Sequence, residues 1–462
     1  MSRTRKPRRE SPPVVGFVAL GCAKNLVDSE RMLGQITESG AILSDESAAD
    51  TIVVNTCGFL GSSRQEALEI LRGLAERKRR GELRRLVVVG CLVQRDGEGL
   101  RDAIPEIDAL VGVNNRADVV RAVWSRSRGP RPGLYLGGYL PQPWSDQGRL
   151  RLTPAHYAYV RISEGCDQKC TFCTIPAIRG PLHCKTPDAL AAECQEMIAD
   201  GGRELILIGQ DTTSYGADIG YEPGLAGLLR HLDRACDGAR WLRLMYAYPS
   251  VFSDAMIDAI AECGRVVKYV DLPLQHINDR MLRAMGRRVT RQQTEALLAR
   301  LRQRIPGLAI RTTFMVGFPG ETAAEFDELL RFVQDFRFEA VGAFPYSREP
   351  QTPAERMADQ LDEAVKKERY DRLMQVQQEV AFAAARRRVG QRFDVVVDEC
   401  SEARCTARHA GQAPEADSVC FLPGARGEPG ELLTVRCTDT DGYDLVVQPE
   451  SVRLPVTSPD SR

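Results

Sequence analysis

The chain has 462 residues, a formal net charge of -1 with 27% charged residues, and 43% hydrophobic residues. That length exceeds what one hydrophobic core usually organises, the apolar content excludes wholesale disorder, and the charge balance excludes the global positive charge of a nucleic-acid coat. No apolar run approaches the roughly 20 residues that span a bilayer, and the stretch after MSRTRKPRRE is too short for a signal peptide and is followed by Lys24, so a cytoplasmic protein is expected.

Residues 1–12 are basic and proline-containing, and a disordered tail is expected there. From 13 to 123 the pattern alternates: strand-like VVGFVAL, a helix over 26–38, strand TIVVNT, a helix over 63–78, strand RLVVVG, another helix and the short strand DALVG. Such alternation signals an open parallel α/β sheet with helical crossovers. Residues 124–151, rich in Gly, Pro and Arg, read as a linker with room for a hairpin.

Over 152–388 six strand candidates, HYAYVRIS, RELILIGQ, WLRLMYAY, VVKYVDLP, LAIRTTFMVG and FEAVGAFPYS, alternate with helical stretches. They suit a partial TIM-like barrel of six β/α units; eight units need more chain. A charged helix over 358–388 ends at Val389-Gly390, where glycine is a natural stop. From 389 to 455 the short strands RFDVVVDEC, EARCTARH, SVCFLP, LLTVRCT and YDLVVQ, set between Gly, Pro and Asp, read as a small antiparallel β-barrel, and 456–462 as a second tail.

Fourteen cysteines without an export signal point to metal or redox chemistry rather than to disulfides. Cys166, Cys170 and Cys173 form CxxxCxxC within EGCDQKCTFCTIPAIRG, just past the first strand of the second α/β region. A structural zinc site wants four closed ligands, whereas here three thiolates lie together and only His183 and Cys184 follow at a ligand-like interval. Three ligands on a four-iron cluster leave one iron open, which is what catalysis needs.

Cys22, Cys57 and Cys91 are far apart in sequence, yet each lies at or just past the end of an apolar strand. In an open parallel sheet those ends share one ligand-binding edge, so three unrelated loops can deliver three thiolates to one point. Any one of them alone reads as an inert buried cysteine. Of the remaining eight, Cys184, Cys194, Cys236, Cys263, Cys400, Cys405, Cys420 and Cys437, most are expected to be packing residues, with Cys184 near enough to the motif to serve as a stray ligand.

CxxxCxxC with the aromatic Phe172 before its last cysteine resembles the radical S-adenosylmethionine (SAM) superfamily. The resemblance implies a radical SAM barrel in which the open iron chelates the methionine moiety of S-adenosyl-L-methionine and one electron cleaves the sulfonium to give a carbon-centred radical. Gly201, Gly202 and Glu204 resemble the glycine-rich segment that contacts the methionine amino group, although a helix-to-strand turn uses the same glycines with no ligand. Val316 and Gly317, at the end of a barrel strand, are where the adenine is expected to pack; the alternative is an ordinary turn.

LGCAKNLVDSERM, VNTCGF and GCLVQR resemble the amino-terminal domain of the methylthiotransferases within that superfamily. This likeness implies two 4Fe-4S clusters, one on Cys166, Cys170 and Cys173 and an auxiliary one on Cys22, Cys57 and Cys91. It also implies a reductant such as flavodoxin or ferredoxin, and insertion of a methylthio group at an unactivated carbon.

The carboxy-terminal barrel resembles the OB-like TRAM domain and is the expected substrate reader. Between 391 and 455 six arginines stand against twelve Asp and Glu, a net of -6. That surface repels RNA and attracts a basic ribosomal protein, though the same acidity also keeps a domain soluble.

AKNLVDSERM, NTCGF, LTPAHYAYVRISEGC, CTIPAIRG, IGQDTTSYG, DLPLQH, FMVGFPGE and YDL are similar to the methylthiotransferase branch that modifies the β-carbon of an aspartate in small-subunit ribosomal protein S-twelve. Ala23 stands where that branch usually has proline. The resemblance implies that protein, free or within the ribosome, as the partner, with RNA contact secondary and no membrane. The alternatives are a transfer-RNA adenosine methylthiotransferase and a non-catalytic iron-sulfur protein that binds ribosomes.

Overall fold

A computed structural model describes residues 11–125, 133–139, 144–425 and 427–450. All but the last two residues of the expected tail 1–12, and all of the expected tail 456–462, lie outside the described residues. Strands β1 (Val14–Ala19), β2 (Ile42–Leu43), β3 (Thr51–Thr56), β4 (Arg85–Gly90), β5 (Ala109–Gly112) and β6 (Leu134–Tyr135) form a parallel sheet in the order β2-β1-β3-β4-β5-β6.

TIVVNT and RLVVVG are almost unbroken aliphatic runs because helices cover both faces. Ile52, Val54, Leu86 and Val88 pack toward Leu71 and Leu74 of α2 (Gly61–Arg79), and Val53, Val87 and Val89 pack on the opposite face toward Met32 and Ile36 of α1 (Ala23–Glu38). The linker expectation needs correction. No hairpin forms among its described residues; Leu134 instead pairs in parallel with Leu110, extending the first sheet. Gly133 permits this approach, since a Cβ there would lie 2.6 Å from the Asp108 carbonyl oxygen.

The second sheet follows as β7 (Tyr157–Arg161), the two-residue ribbon of β8 (Ser163–Glu164) and β9 (His183–Cys184), then β10 (Glu204–Ile208), β11 (Trp241–Leu244), β12 (Val266–Asp271), β13 (Ala309–Val316) and β14 (Ala340–Pro345). Six of these strands run parallel in the order β14-β13-β12-β11-β10-β7, the six-unit open barrel expected. The long charged helix spans Glu363–Arg386 and sends Leu373 into the outer core. Among the described residues no helix is long and apolar enough to cross a membrane.

Strands β15 (Arg392–Cys400), β16 (Arg404–His409), β17 (Cys420–Pro423), β18 (Leu432–Asp441) and β19 (Asp444–Pro449) close a barrel in the order β15-β16-β17-β19-β18. It is not wholly antiparallel as expected: β17 and β19 pair in parallel, because the chain runs from β17 to the far edge beside β15 before returning. The cysteine reading also needs correction here. Cys400 and Cys405 stand opposite each other in the β15–β16 register, with Cα atoms 4.0 Å apart, and are joined by a disulfide.

The concave side of the second sheet is filled from both ends. Tyr157, Tyr159, Ile206 and Tyr269 meet Val396 and Ala413 of the small barrel at one end and Val27 of α1 at the other.

Candidate active site

The carboxyl ends of the parallel strands carry the six expected cysteines. Cys166 follows β8, and its amide donates to the Gly180 carbonyl at 3.2 Å. Gly165 before it has φ +73°, and a Cβ there would collide with the Pro181 carbonyl, so the loop needs glycine. The Cys173 amide donates to the Cys170 carbonyl at 3.2 Å, folding the loop back on itself. Arg287 lies with Nη1 3.7 Å from Cys170 Sγ and its guanidinium 3.9 Å from the centre of the Tyr248 ring. Phe172 packs edge-on to Phe318, ring centres 6.4 Å apart. Burial pushes the Cys166 and Cys173 thiols up to about 12.

The other triad forms from three loops. Cys22 precedes α1, Cys57 follows β3, and Cys91 opens α3 (Cys91–Asp96) directly after β4. Two glycines bring these loops together. A Cβ on Gly21 would sit 2.9 Å from Cys57 Cβ and 3.5 Å from its Sγ, and one on Gly58 would sit 2.8 Å from the Cys91 carbonyl. Burial pushes the Cys91 thiol up to about 12, outweighing the opposing pull of Arg179, and Cys57 is also raised, chiefly by burial.

Buried thiols of this kind ionise when a metal supplies the positive charge. Two sets of three sulfur donors, in loops whose glycines leave room at the sulfurs, therefore fit iron-sulfur ligation. Among the described residues no three His, Cys, Asp or Glu side chains converge closely enough, as they stand, to hold a single metal ion.

A buried ion network joins the two regions. Arg179, just past the CxxxCxxC loop, donates from Nη2 to Cys91 Sγ at 3.2 Å, to Asn25 Oδ1 at 2.6 Å and to Asp28 Oδ2 at 3.1 Å, and from Nη1 to both oxygens of Glu164 at 2.9 Å. Arg161 binds Asp28 and Glu164, both at 2.6 Å, and Asp146 at 2.7 Å. Burial alone raises the Glu164 and Asp146 carboxyls, but the Coulombic pull of these cations outweighs it and holds both well below the usual range. Sequence reasoning missed these residues, because their meeting depends on how two sheets face each other.

Three of the expected cofactor contacts are not brought to this edge. Glu204 pairs in register with Tyr157 at the start of the strands, whereas Cys166 lies beyond the other end, where Arg161 pairs with Ile208. Its carboxylate accepts from Arg243 Nε at 2.6 Å and Arg408 Nη1 at 2.8 Å, and Gly201 and Gly202 form the turn before it. At the cysteine end of β10 stand Gly209 and Gln210 instead. A Cβ on Gly209 would lie 2.6 Å from Ser163 Oγ, and that oxygen and Gln210 Oε1 are buried without a partner among the described residues.

Val316 and Gly317 do reach the cysteine edge, at the end of β13, where the Gly317 amide donates to Glu321 Oε2 at 2.6 Å. Cys184 joins neither triad; its Sγ accepts from the Gly216 amide at 3.3 Å within the outer core.

Comparison with known proteins agrees with this architecture. Residues 14–112 match the uncharacterised protein family UPF0004, 160–333 the radical SAM superfamily, and 389–449 the TRAM domain. A ribosomal protein uS12 methylthiotransferase RimO from Anaeromyxobacter sp. (strain K) is 46% identical over 92% of this chain and 91% of its own. Another, from Anaeromyxobacter sp. (strain Fw109-5), is 44% identical over 95% of each. Among solved structures, the radical S-adenosylmethionine methyltransferase TsrM from Kitasatospora setae superposes with a TM-score of 0.55 at 16% identity, covering 74% of this chain and 77% of that one, a likeness of fold alone. Identity at the level of the two RimO relatives, sustained across nearly the whole chain, means that the chain belongs to the RimO family of ribosomal protein uS12 methylthiotransferases.

Proposed function

We propose that Cys166, Cys170 and Cys173 hold a radical 4Fe-4S cluster, that Cys22, Cys57 and Cys91 hold an auxiliary one, and that an aspartate of uS12 receives its methylthio group between them. When bound, S-adenosylmethionine with its cluster supplies hydrogen-abstracting radical chemistry, and the auxiliary cluster supplies a place for the inserted sulfur.

The chain's own residues do the rest. Ala23, Leu26 and Val27 of α1 cover the inner face of the barrel and exclude water from it. Arg287 beside Cys170 and Arg179 beside Cys91 set fixed positive charge against each triad, which favours thiolates and an added electron. Phe172, Val316 and Gly317 support the apolar end of the cofactor, and Ser163 and Gln210 offer unpaired oxygens to its polar end. A flavodoxin or ferredoxin is the proposed electron donor.

The observation that carries the reading is the Arg179 bridge, in which one side chain from the CxxxCxxC segment donates to a sulfur of the other triad. A protein substrate is favoured over RNA by the last barrel, where Glu399, Glu402, Glu428, Glu431, Asp439 and Asp441 are all exposed.

Mass spectrometry of uS12 from cells lacking the chain tests the function. One methylthio increment is expected to disappear, while transfer-RNA nucleosides from the same cells stay unchanged; an unaltered uS12 mass refutes the reading. Reconstituted protein is expected to hold about eight iron and eight sulfide per chain.

A further inference from the structure

Lys24 is a buried cation that meets no carboxylate among the described residues. It lies in the first turn of α1, two residues after Cys22, and is 7% exposed. Its Nζ stands 2.9 Å from the centre of the Tyr246 ring, and no ion pair or hydrogen bond to another described residue accompanies that contact. Arg161, Lys185, Arg243 and Arg408, also deeply buried, each meet a carboxylate, and Arg287, which is 6% exposed and has no ion pair among the described residues, at least donates to the Pro273 carbonyl at 2.5 Å.

Its position makes the missing anion more telling. The first turn of a helix is the positive end of the helix dipole, where a lysine is disfavoured. Burying an ammonium without a counter-charge costs more still, and an aromatic face recovers only part of that cost.

The ring that meets Lys24 is itself held in place. Tyr246 is a non-glycine residue with φ +60°. Its amide donates to Asp271 Oδ2 at 3.1 Å, and its carbonyl accepts from the Thr212 amide at 3.1 Å. Strain retained by surrounding bonds marks a position whose geometry matters. Two residues on, Tyr248 Oη lies 3.8 Å from Cys170 Sγ. The Lys24–Tyr246 contact therefore spans from the Cys22 segment to the Cys170 segment.

We propose that Lys24 is the residue that pairs with the side-chain carboxylate of the substrate aspartate and so makes the enzyme specific for an acidic residue. The assignment rests on the uS12 reading above. A carboxylate could also come from the methionine end of S-adenosylmethionine, and the test separates the two sources.

The assay measures the affinity of reconstituted full-length enzyme for uS12 carrying its acceptor aspartate and for the same protein with asparagine there, together with the affinity for S-adenosylmethionine. Both uS12 forms are measured on one preparation, so their ratio is independent of the folded fraction. Wild type is expected to prefer the aspartate form, Lys24→Met to weaken its binding by about 30-fold or more and bring the ratio near one, and Lys24→Arg to keep the preference. A Lys24→Met enzyme with the wild-type ratio overturns the assignment, as does a wild-type ratio near one. Weakened S-adenosylmethionine binding with the ratio retained also overturns it and assigns Lys24 to the cofactor. Wild-type enzyme that adds no methylthio mass to uS12 overturns the functional reading and Lys24 with it, whereas the preceding outcomes leave that reading standing.

Discussion

Replacing Glu204 with glutamine separates a structural carboxylate from a cofactor contact. Glu204 is 1% exposed and accepts from Arg243 at 2.6 Å and Arg408 at 2.8 Å, joining the second sheet to the last barrel. Burial alone raises its pKa, but the Coulombic pull of Arg243 and then Arg408 outweighs it and holds the carboxyl below its ordinary value. In Glu204→Gln one amide oxygen can still accept, but the negative charge and one acceptor are lost; Arg408 keeps Asp398 at 2.8 Å, while Arg243 keeps no anion and has the Ala410 carbonyl at 2.9 Å and the face of Tyr269.

Removing one partner of a buried pair costs about 3–5 kcal/mol, and the surviving Asp398 contact places this case near the lower end. At about 2–4 °C per kcal/mol for a domain of this size, the calorimetric midpoint is expected to fall by roughly 6–12 °C at a fixed scan rate. Because the folded pKa is depressed, the contribution of Glu204 is complete above the ordinary value of 4.5 and is lost as pH falls through the lower folded value. Wild type and variant therefore converge in strong acid. An unchanged midpoint with weakened S-adenosylmethionine binding refutes the structural assignment.

Three further outcomes probe the cysteine edge. Cys170→Ala is expected to abolish reductive cleavage of S-adenosylmethionine, whereas Cys57→Ala keeps some cleavage and loses sulfur insertion; equal loss in both argues against separate roles. Arg179→Gln removes the 3.2 Å donor to Cys91 Sγ, so an electron-spin-resonance titration should find the auxiliary midpoint lower by on the order of 50 mV for about 1 kcal/mol of differential stabilisation; an unmoved midpoint means the bridge does not tune that centre. Gly286 has φ +71°, and a Cβ there would collide with the Lys169 carbonyl inside the CxxxCxxC loop; Gly286→Ala should retain about four iron of about eight, and full iron content counts against this packing.

The parallel sheets were legible because strands such as TIVVNT and RLVVVG carry aliphatic side chains on both faces, and six such runs between helices admit few arrangements. The same logic put Cys22, Cys57 and Cys91 on one edge. It failed at Glu204, because local sequence marks where a strand begins but not which end of it a ligand uses. Leu134–Tyr135 is too short to show any period, and the Cys400–Cys405 bond follows from a hairpin register that spacing alone does not reveal. Arg161 and Arg179 sit in otherwise apolar segments, and the carboxylate they share from the first domain, Asp28, is set by how the first sheet leans on the second.

The small barrel is fastened to the start of the parallel strands, through His156 to Asp398 and Tyr157 to Glu415, both at 2.8 Å, while the cysteines crown their finish. A five-residue strand such as β10 is about 17 Å long. A visitor that grips the acidic module and still offers one side chain to the sulfurs must reach around at least that length. A macromolecular substrate spans that length; a lone nucleoside does not.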